Sequence, residues 1–275
     1  MRIMHPTDFS HTAEKARVLA LDLSERSSAT VHVVHVQERY QVSSFGPYVV
    51  NLSPDLLKLL EEQRSEEVRQ LRESLANLTP PGGSSELRWG KPLPELLELA
   101  PNFDLIVMGA HGANRLDNFF LGGVAGRLVR RSPTPVLTVR DEAQTTTVQR
   151  ILVATDFSSA AENAWRWCCA LAERGKLALS LAHVLVSKGP QPLAQTREAV
   201  EKLEALACER KVHHLLREGD PVSILPRLAL EEGADVIAIG VKRRSAAIGL
   251  LFGSRADGLI RSSPVPILSV PLTTY

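Results

Sequence analysis

The sequence predicts an α/β protein made of two doubly wound domains, each a five-stranded parallel sheet with helices on both faces. Three observations carry this. The chain repeats itself. Within each repeat, β-type runs alternate with helical patterns, the signature of parallel pairing through right-handed crossovers. And Leu105-Ile106-Val107-Met108 is an uninterrupted apolar run closed by Gly109, as in a strand buried on both faces.

The repeat is read directly. Arg2-Ile3-Met4-His5-Pro6-Thr7-Asp8-Phe9-Ser10 aligns with Arg150-Ile151-Leu152-Val153-Ala154-Thr155-Asp156-Phe157-Ser158, an offset of 148 from Asp8 to Asp156. His35-Val36 then falls on His183-Val184. Later the offset is 131, placing Asp104 to Gly109 on Asp235 to Gly240 and Arg130 to Leu137 on Arg261 to Leu268. The first half therefore carries extra residues in its middle, assigned to the Gly/Pro/Ser-containing stretch Tyr40 to Pro54. The domains are read as 1–140 and 150–275, joined by the polar stretch Asp141 to Thr147.

The elements follow in order. Ile3 to Pro6 is a short strand. A helix starts at the N-cap Ser10, with Ala13, Ala16, Leu19, Ala20 and Leu23 on its apolar face. Thr30 to Val36 is rich in β-branched residues and reads as a strand. Leu56 to Leu78 is a charged amphipathic helix, and Leu93 to Leu99 a shorter one opened by prolines. After the buried strand at Leu105, Val124 to Arg131 is a helix and Pro135 to Val139 the closing strand. In the second repeat the strands are Ile151–Ala154, Leu177–Val184, Val212–Leu216, Val236–Ile239 and Pro266–Val270.

Composition narrows the function classes. The 275 residues suit two domains at roughly 150 residues each. Lys and Arg total 32 against 31 Asp and Glu, a net charge of +1, so no global field draws the chain to nucleic acid or an anionic membrane. No run of about 18 apolar residues suggests a membrane span, and the first residues do not resemble a signal peptide. Cys168, Cys169 and Cys208 lack metal or redox spacing and read as reduced thiols in a cytoplasmic protein.

In doubly wound sheets ligands bind beyond the carboxyl ends of the strands, at the topological switch point. Two places in each repeat lie there. The first is Pro6-Thr7-Asp8, matched by Ala154-Thr155-Asp156. The aspartate can accept hydrogen bonds from a ribose hydroxyl or an amino group, or can cap the next helix. The second is Met108-Gly109-Ala110-His111-Gly112, then nine residues, then Gly122-Gly123-Val124. Glycines there let the backbone turn tightly, and a helix N-terminus after them favours phosphate. His111 is a candidate binding residue. No GxGxxG follows the first strand, and no Walker GxxxxGK[ST] occurs.

These motifs resemble those of the universal stress proteins, and the whole chain looks like two such domains in tandem. The family's signature runs Gly, two residues, Gly, nine residues, Gly, then Ser or Thr. The first repeat supplies Gly109, Gly112 and Gly122, with Gly123 in place of the hydroxyl residue. The second supplies Gly240, Gly253 and Ser254, followed by Arg255, with Arg243 in place of the second glycine. The resemblance implies the adenine-nucleotide alpha-hydrolase-like fold. It also implies ATP, with magnesium, held between the aspartate loop (Asp8, Asp156) and the glycine loop, with Val36 and Val184 flanking the base. It further implies a stress-response regulator or sensor with at most slow hydrolysis. Pairing of the last strands would join the two domains as an intramolecular pseudo-dimer, with further homodimerisation open.

Two departures bear on the sites. Gly123 forgoes one phosphate hydrogen bond, worth on the order of 1 kcal/mol. Arg243 either blocks the second site or, with Lys242, Arg244 and Arg255, rewires it for an anion. The apolar residues Leu116, Phe119, Phe120 and Leu121, and Ile248, Leu250, Leu251 and Phe252, need cover, from a lid or a partner. The alternative function is accordingly a nucleotide-free interaction module. An ATP-pyrophosphatase would need an SGGxDS-like loop where the chain reads Pro6-Thr7-Asp8-Phe9-Ser10.

Overall fold

A computed structural model describes residues 1–38, 54–111, 123–186, 193–207, 210–242 and 254–272. The first half runs β1 (Arg2–Pro6), α1 (His11–Ser27), β2 (Thr30–Gln37), α2 (Pro54–Leu78), β3 (Ser84–Trp89), α3 (Pro92–Leu99), β4 (Leu105–Gly109), α4 (Gly123–Arg131) and β5 (Val136–Val139). The second runs β6 (Arg150–Ala154), α5 (Ser159–Gly175), β7 (Ala178–Leu185), α6 (Leu193–Ala207), β8 (His213–Glu218), α7 (Pro221–Glu231), β9 (Val236–Val241), α8 (Ser254–Ser262) and β10 (Ile267–Pro271).

The described strands form one ten-stranded sheet in the order β3-β2-β1-β4-β5-β10-β9-β6-β7-β8. Within each half every pairing is parallel, and the halves meet where β5 and β10 pair antiparallel, Leu137 opposite Leu268. Two cores sandwich the sheet. One packs α1, α2, α5 and α6 on Ile3, Val33, Leu105, Val107, Ile151 and Val153; the other packs α3, α4, α7 and α8 on Met4, Ile106, Leu152 and Ile237. Each fully buried Leu or Ile contributes about 1.5–3 kcal/mol.

The helices form where the sequence signals them. Ser10 caps α1 by accepting from the Ala13 N–H at 3.2 Å, and the predicted apolar stripe, Ala13 to Leu23, is the buried face. Ser158 does the same for α5 through Ala161. Asp8 is therefore not the helix cap. Its Oδ1 accepts from the Ser10 N–H at 3.1 Å, a local turn that leaves the capping to the serine.

Two expectations need correction, on the third strand and on the extra length of the first half, and the link between the halves gains detail. The third strand of the first half, Ser84–Trp89, was not among the strands placed from sequence. It lies at a sheet edge, where Ser84 and Ser85 are exposed, Glu86 to Trp89 are half-buried, and Ser-Ser-Glu-Leu-Arg-Trp shows no apolar run. The polar stretch after β5 forms no helix or strand but is anchored: Ala143 and, just beyond the stretch, Val148 are buried in the core, the Val148 N–H donates to Asp22 at 2.7 Å, and Lys15 donates to the Ala143 carbonyl at 3.1 Å. The extra length of the first half lies only partly in residues 40–54, of which 40–53 fall outside the described residues. Part of it is α2 itself, 25 residues against 15 in α6.

Across the β5–β10 seam, Arg130 pairs with Asp257, and Arg261 reaches the same carboxylate at 2.7 Å. Arg130 and Arg261 are equivalent positions of the two repeats, so one aspartate serves both. The Arg140 guanidinium donates to the Arg261 carbonyl. Among the described residues no helix is long and apolar enough to cross a membrane, and no group of three or more His, Cys, Asp or Glu side chains is placed to hold a metal ion.

Candidate functional site

The strand order reverses direction between β1 and β4 in the first half and between β6 and β9 in the second. The loops that leave these strands diverge to opposite faces and open a crevice at the carboxyl edge. The first crevice is a cavity of about 430 Å³, the second one of about 360 Å³.

The first cavity is built from the bottom by Pro6 and Thr7. The Thr7 N–H continues the sheet by donating to the Val34 carbonyl at 2.8 Å. Its hydroxyl then accepts from the Phe9 N–H at 3.0 Å, and the chain turns through Phe9 at φ +61° into α1. A left-handed conformation at a phenylalanine costs roughly 1 kcal/mol, which the turn's side-chain hydrogen bonds offset. Opposite, β4 ends in Met108 and Gly109. A Cβ at Gly109 would stand 3.0 Å from the Thr12 carbonyl carbon, so glycine lets β4 and the start of α1 close against each other. The Thr12 hydroxyl donates to the His111 carbonyl at 3.0 Å and ties the glycine loop to α1. His111 is buried. Gly123 and Val124 open α4 at the far wall, so the helix N-terminus, whose first N–H groups have no partner within the helix, lines the cavity.

The cavity thus brings together Pro6, Thr7, Asp8, Val36, Met108, Gly109, His111, Gly123 and Val124. Gly112 and Gly122 lie outside the described residues. The second cavity gathers Ala154, Thr155, Asp156, Val184, Gly240 and Arg255. Its aspartate loop repeats the first closely: Phe157 N–H to Thr155 Oγ1 at 2.9 Å, Ser158 N–H to Asp156 Oδ1 at 3.0 Å, and Phe157 at φ +59°. Ser254 begins α8, while Arg243 and Gly253 lie outside the described residues, as do Arg244 and the apolar loop residues. Lys242, at the position of His111, is exposed.

Sequence reasoning missed several walls. His35 and His183 line the two cavities, as do Pro92 with Leu96 and Pro221 with Leu225. A signal for the latter existed: Gly90-Lys91-Pro92 and Gly219-Asp220-Pro221 are matching turns, their glycines at φ +155° and +134°. The cavities differ at the end of the second strand, where Gln37 in the first half is replaced by Leu185 in the second. Leu185 and the exposed Val186 make that mouth more apolar.

A groove of about 740 Å³ lies elsewhere, between α5 and α6, along Trp165, Cys169, Leu206 and Arg210. It is a surface furrow between helices that reaches Phe157 and Glu162 at the start of α5, and it contains none of the glycines of the second cavity. Cys168 behind it is fully buried, and burial pushes its thiol well above the ordinary range, so it is an inert packing group.

Comparison with known proteins agrees with this architecture. The model of the universal stress protein family matches residues 1–140 and again 147–271. A Staphylococcus saprophyticus protein named as a universal stress protein is 30% identical over 167 residues, covering 57% of this chain and 93% of its own length. The crystal structure of a universal stress protein from Archaeoglobus fulgidus superposes with a TM-score of 0.70 at 22% identity, covering 99% of this chain and 98% of that one. A Pseudomonas aeruginosa structure assigned to the same family gives 0.62 at 20% identity, with 98% and 92% covered. These structures share the fold. With the family's model matched twice in succession over nearly the full length, the chain belongs to the universal stress protein family and carries its α/β adenine-nucleotide alpha-hydrolase-like domain in tandem.

Proposed function

We propose that the chain is an ATP-binding regulator or sensor rather than an efficient enzyme, with its working site in the first half. The observation that carries this is the convergence on one cavity at the switch point of an acidic loop, a glycine-ended strand and the N-terminus of α4. The chemistry divides along the cavity. Asp8 lines the cavity as a carboxylate, an acceptor for hydroxyl or amino donors. Val36 and Met108 offer apolar contact to a flat base. Gly123, Val124 and the dipole of α4 favour phosphate, with His111 beside them. Magnesium would enter with the nucleotide, bound to its phosphates.

On this reading the chain divides into domains 1–140 and 150–275, joined as an intramolecular pseudo-dimer through β5 and β10 and working in the cytoplasm. The second site keeps Asp156 and Gly240 but meets Arg243 in its loop, which favours a degenerate site there. That residue also favours the second reading, a nucleotide-free interaction module.

Isothermal titration with ATP and magnesium tests the proposal. One ATP per chain is expected, with Asp8→Ala weakening it roughly ten-fold or more and Asp156→Ala leaving it unchanged. Two per chain would show that Arg243 is accommodated. No heat at millimolar ATP would overturn the proposal in favour of the interaction module.

A further inference from the structure

We infer that His35 and His183 are positioning residues for the two aspartate loops, each orienting the peptide that leads into Asp8 or Asp156. For its functional part the inference rests on the nucleotide reading above.

In the first half, His35 Nδ1 lies 2.8 Å from the Thr7 carbonyl oxygen; in the second, His183 Nδ1 lies 2.7 Å from the Thr155 carbonyl oxygen. A carbonyl can only accept, so Nδ1 carries the proton in both rings. The threonine N–H is already held, Thr7 by Val34 O and Thr155 by Ala182 O, each at 2.8 Å. Each threonine is therefore gripped on both sides by the second strand, through its N–H by the backbone and through its C=O by the histidine. The peptide joined to that carbonyl is the one that carries the aspartate.

The same ring does a second job. The Phe9 ring lies 4.7 Å from that of His35, and Phe157 4.4 Å from His183, both tilted. These are the residues in the left-handed conformation, φ +61° and +59°, that turn the chain from aspartate to helix cap. The histidine thus holds the loop before the aspartate by a hydrogen bond and after it by ring contact. Both histidines also line their cavities. The arrangement is the same in the two halves although the neighbours differ, Pro6 against Ala154 and Gln37 against Leu185. It belongs to the loop and not to one local packing solution.

The test separates the two contacts in the full chain. His35→Phe keeps a flat ring against Phe9 and removes the donor; His35→Asn keeps a donor near the Nδ1 position. Amide hydrogen exchange is read at Phe9 and Ser10, whose N–H groups bond to Thr7 Oγ1 and Asp8 Oδ1. Phe157 and Ser158 in the same molecule serve as the control. In His35→Phe, exchange at Phe9 and Ser10 is expected to rise roughly ten-fold with the second loop unchanged, and in His35→Asn to stay within about two-fold of the parent. Unchanged exchange in His35→Phe, or equal loosening of both loops together with a lowered melting temperature, would overturn the inference. ATP titration adds the functional part: His35→Phe should weaken binding roughly five-fold, but less than about two-fold on an Asp8→Ala background, because it acts through the aspartate. Additive losses would overturn that part. If the parent chain binds no ATP, the nucleotide reading falls, and the exchange result still decides whether the histidines position the loops.

Discussion

Replacing His5 by valine is expected to stabilise the protein, by an amount that grows by on the order of 3 kcal/mol between about pH 7.5 and pH 4. His5 is fully buried in β1. Its Nδ1 donates to the Val107 carbonyl at 2.9 Å, while Nε2 is buried with no hydrogen-bond partner among the described residues. An orphaned buried acceptor costs about 1–3 kcal/mol even when the ring is neutral. Burial is also the leading cause that lowers the pKa from its ordinary 6.5 to about 4. The sign follows from the unfolded chain. It binds a proton on this histidine below pH 6.5, whereas the folded protein resists until about pH 4, so stability is full above 6.5 and is lost as the pH falls to 4. The second half has already made the exchange, since Val153 occupies the equivalent strand position and is fully buried. Urea unfolding of both proteins at the two pH values measures the effect. A difference that does not change with pH would mean that His5 is solvated in the folded state.

The same strand shows where sequence reasoning works and where it stops. Buried central strands are visible because both of their faces must be apolar: Leu105 to Met108 and Val236 to Ile239 are legible without any structure. Helix starts are visible because a serine that accepts from its own third amide leaves a local signature at Ser10 and Ser158. β3 is not visible, because a half-buried edge strand need not carry an apolar run and Ser-Ser-Glu-Leu-Arg-Trp has a single aliphatic residue, whereas the other edge strand, β8, keeps Leu215-Leu216. His5 was also passed over, since a single polar residue inside an apolar run says nothing of whether its ring finds a partner. For the site, the repeat and the glycines located Asp8, Gly109, His111 and Val124 around one cavity, because loops after β1 and β4 must meet at the switch point. Pro92, Leu96 and the histidines of the second strand were not found. They reach the cavity through tertiary packing of α3 and β2, which no local spacing encodes.

The closeness of the glycine loop to the preceding helix sets the second large effect, and it differs between the halves. Gly240→Ala is expected to destabilise the protein by at least about 3 kcal/mol, against about 1 kcal/mol for Gly109→Ala. A Cβ on Gly240 would stand 2.2 Å from both the carbonyl carbon and the oxygen of Ala160 and 2.5 Å from the Ala161 nitrogen. These are backbone atoms in the first turn of α5, which no rotamer change can move aside. At Gly109 the nearest atoms, in Thr12 and Ala13, are 3.0 to 3.1 Å away, a contact that a shift of a few tenths of an ångström relieves. To admit the methyl group at Gly240, α5 must lift from β9. That disturbs Ala160, Ala161 and Ala164, all buried against the sheet, and the Ser158 cap with them. Trp165 and Trp167 both lie on α5, so their fluorescence reports this movement directly, whereas Trp89 in β3 belongs to the first half. Urea unfolding followed by tryptophan emission should show Gly240→Ala opening α5 well before the parent protein does, with Gly109→Ala only slightly shifted. Equal small losses for the two substitutions would mean that β9 and α5 stand further apart than the structure places them. The second cavity would then share the spacing of the first, and the two sites would differ in side chains such as Arg243 and Leu185 rather than in backbone spacing.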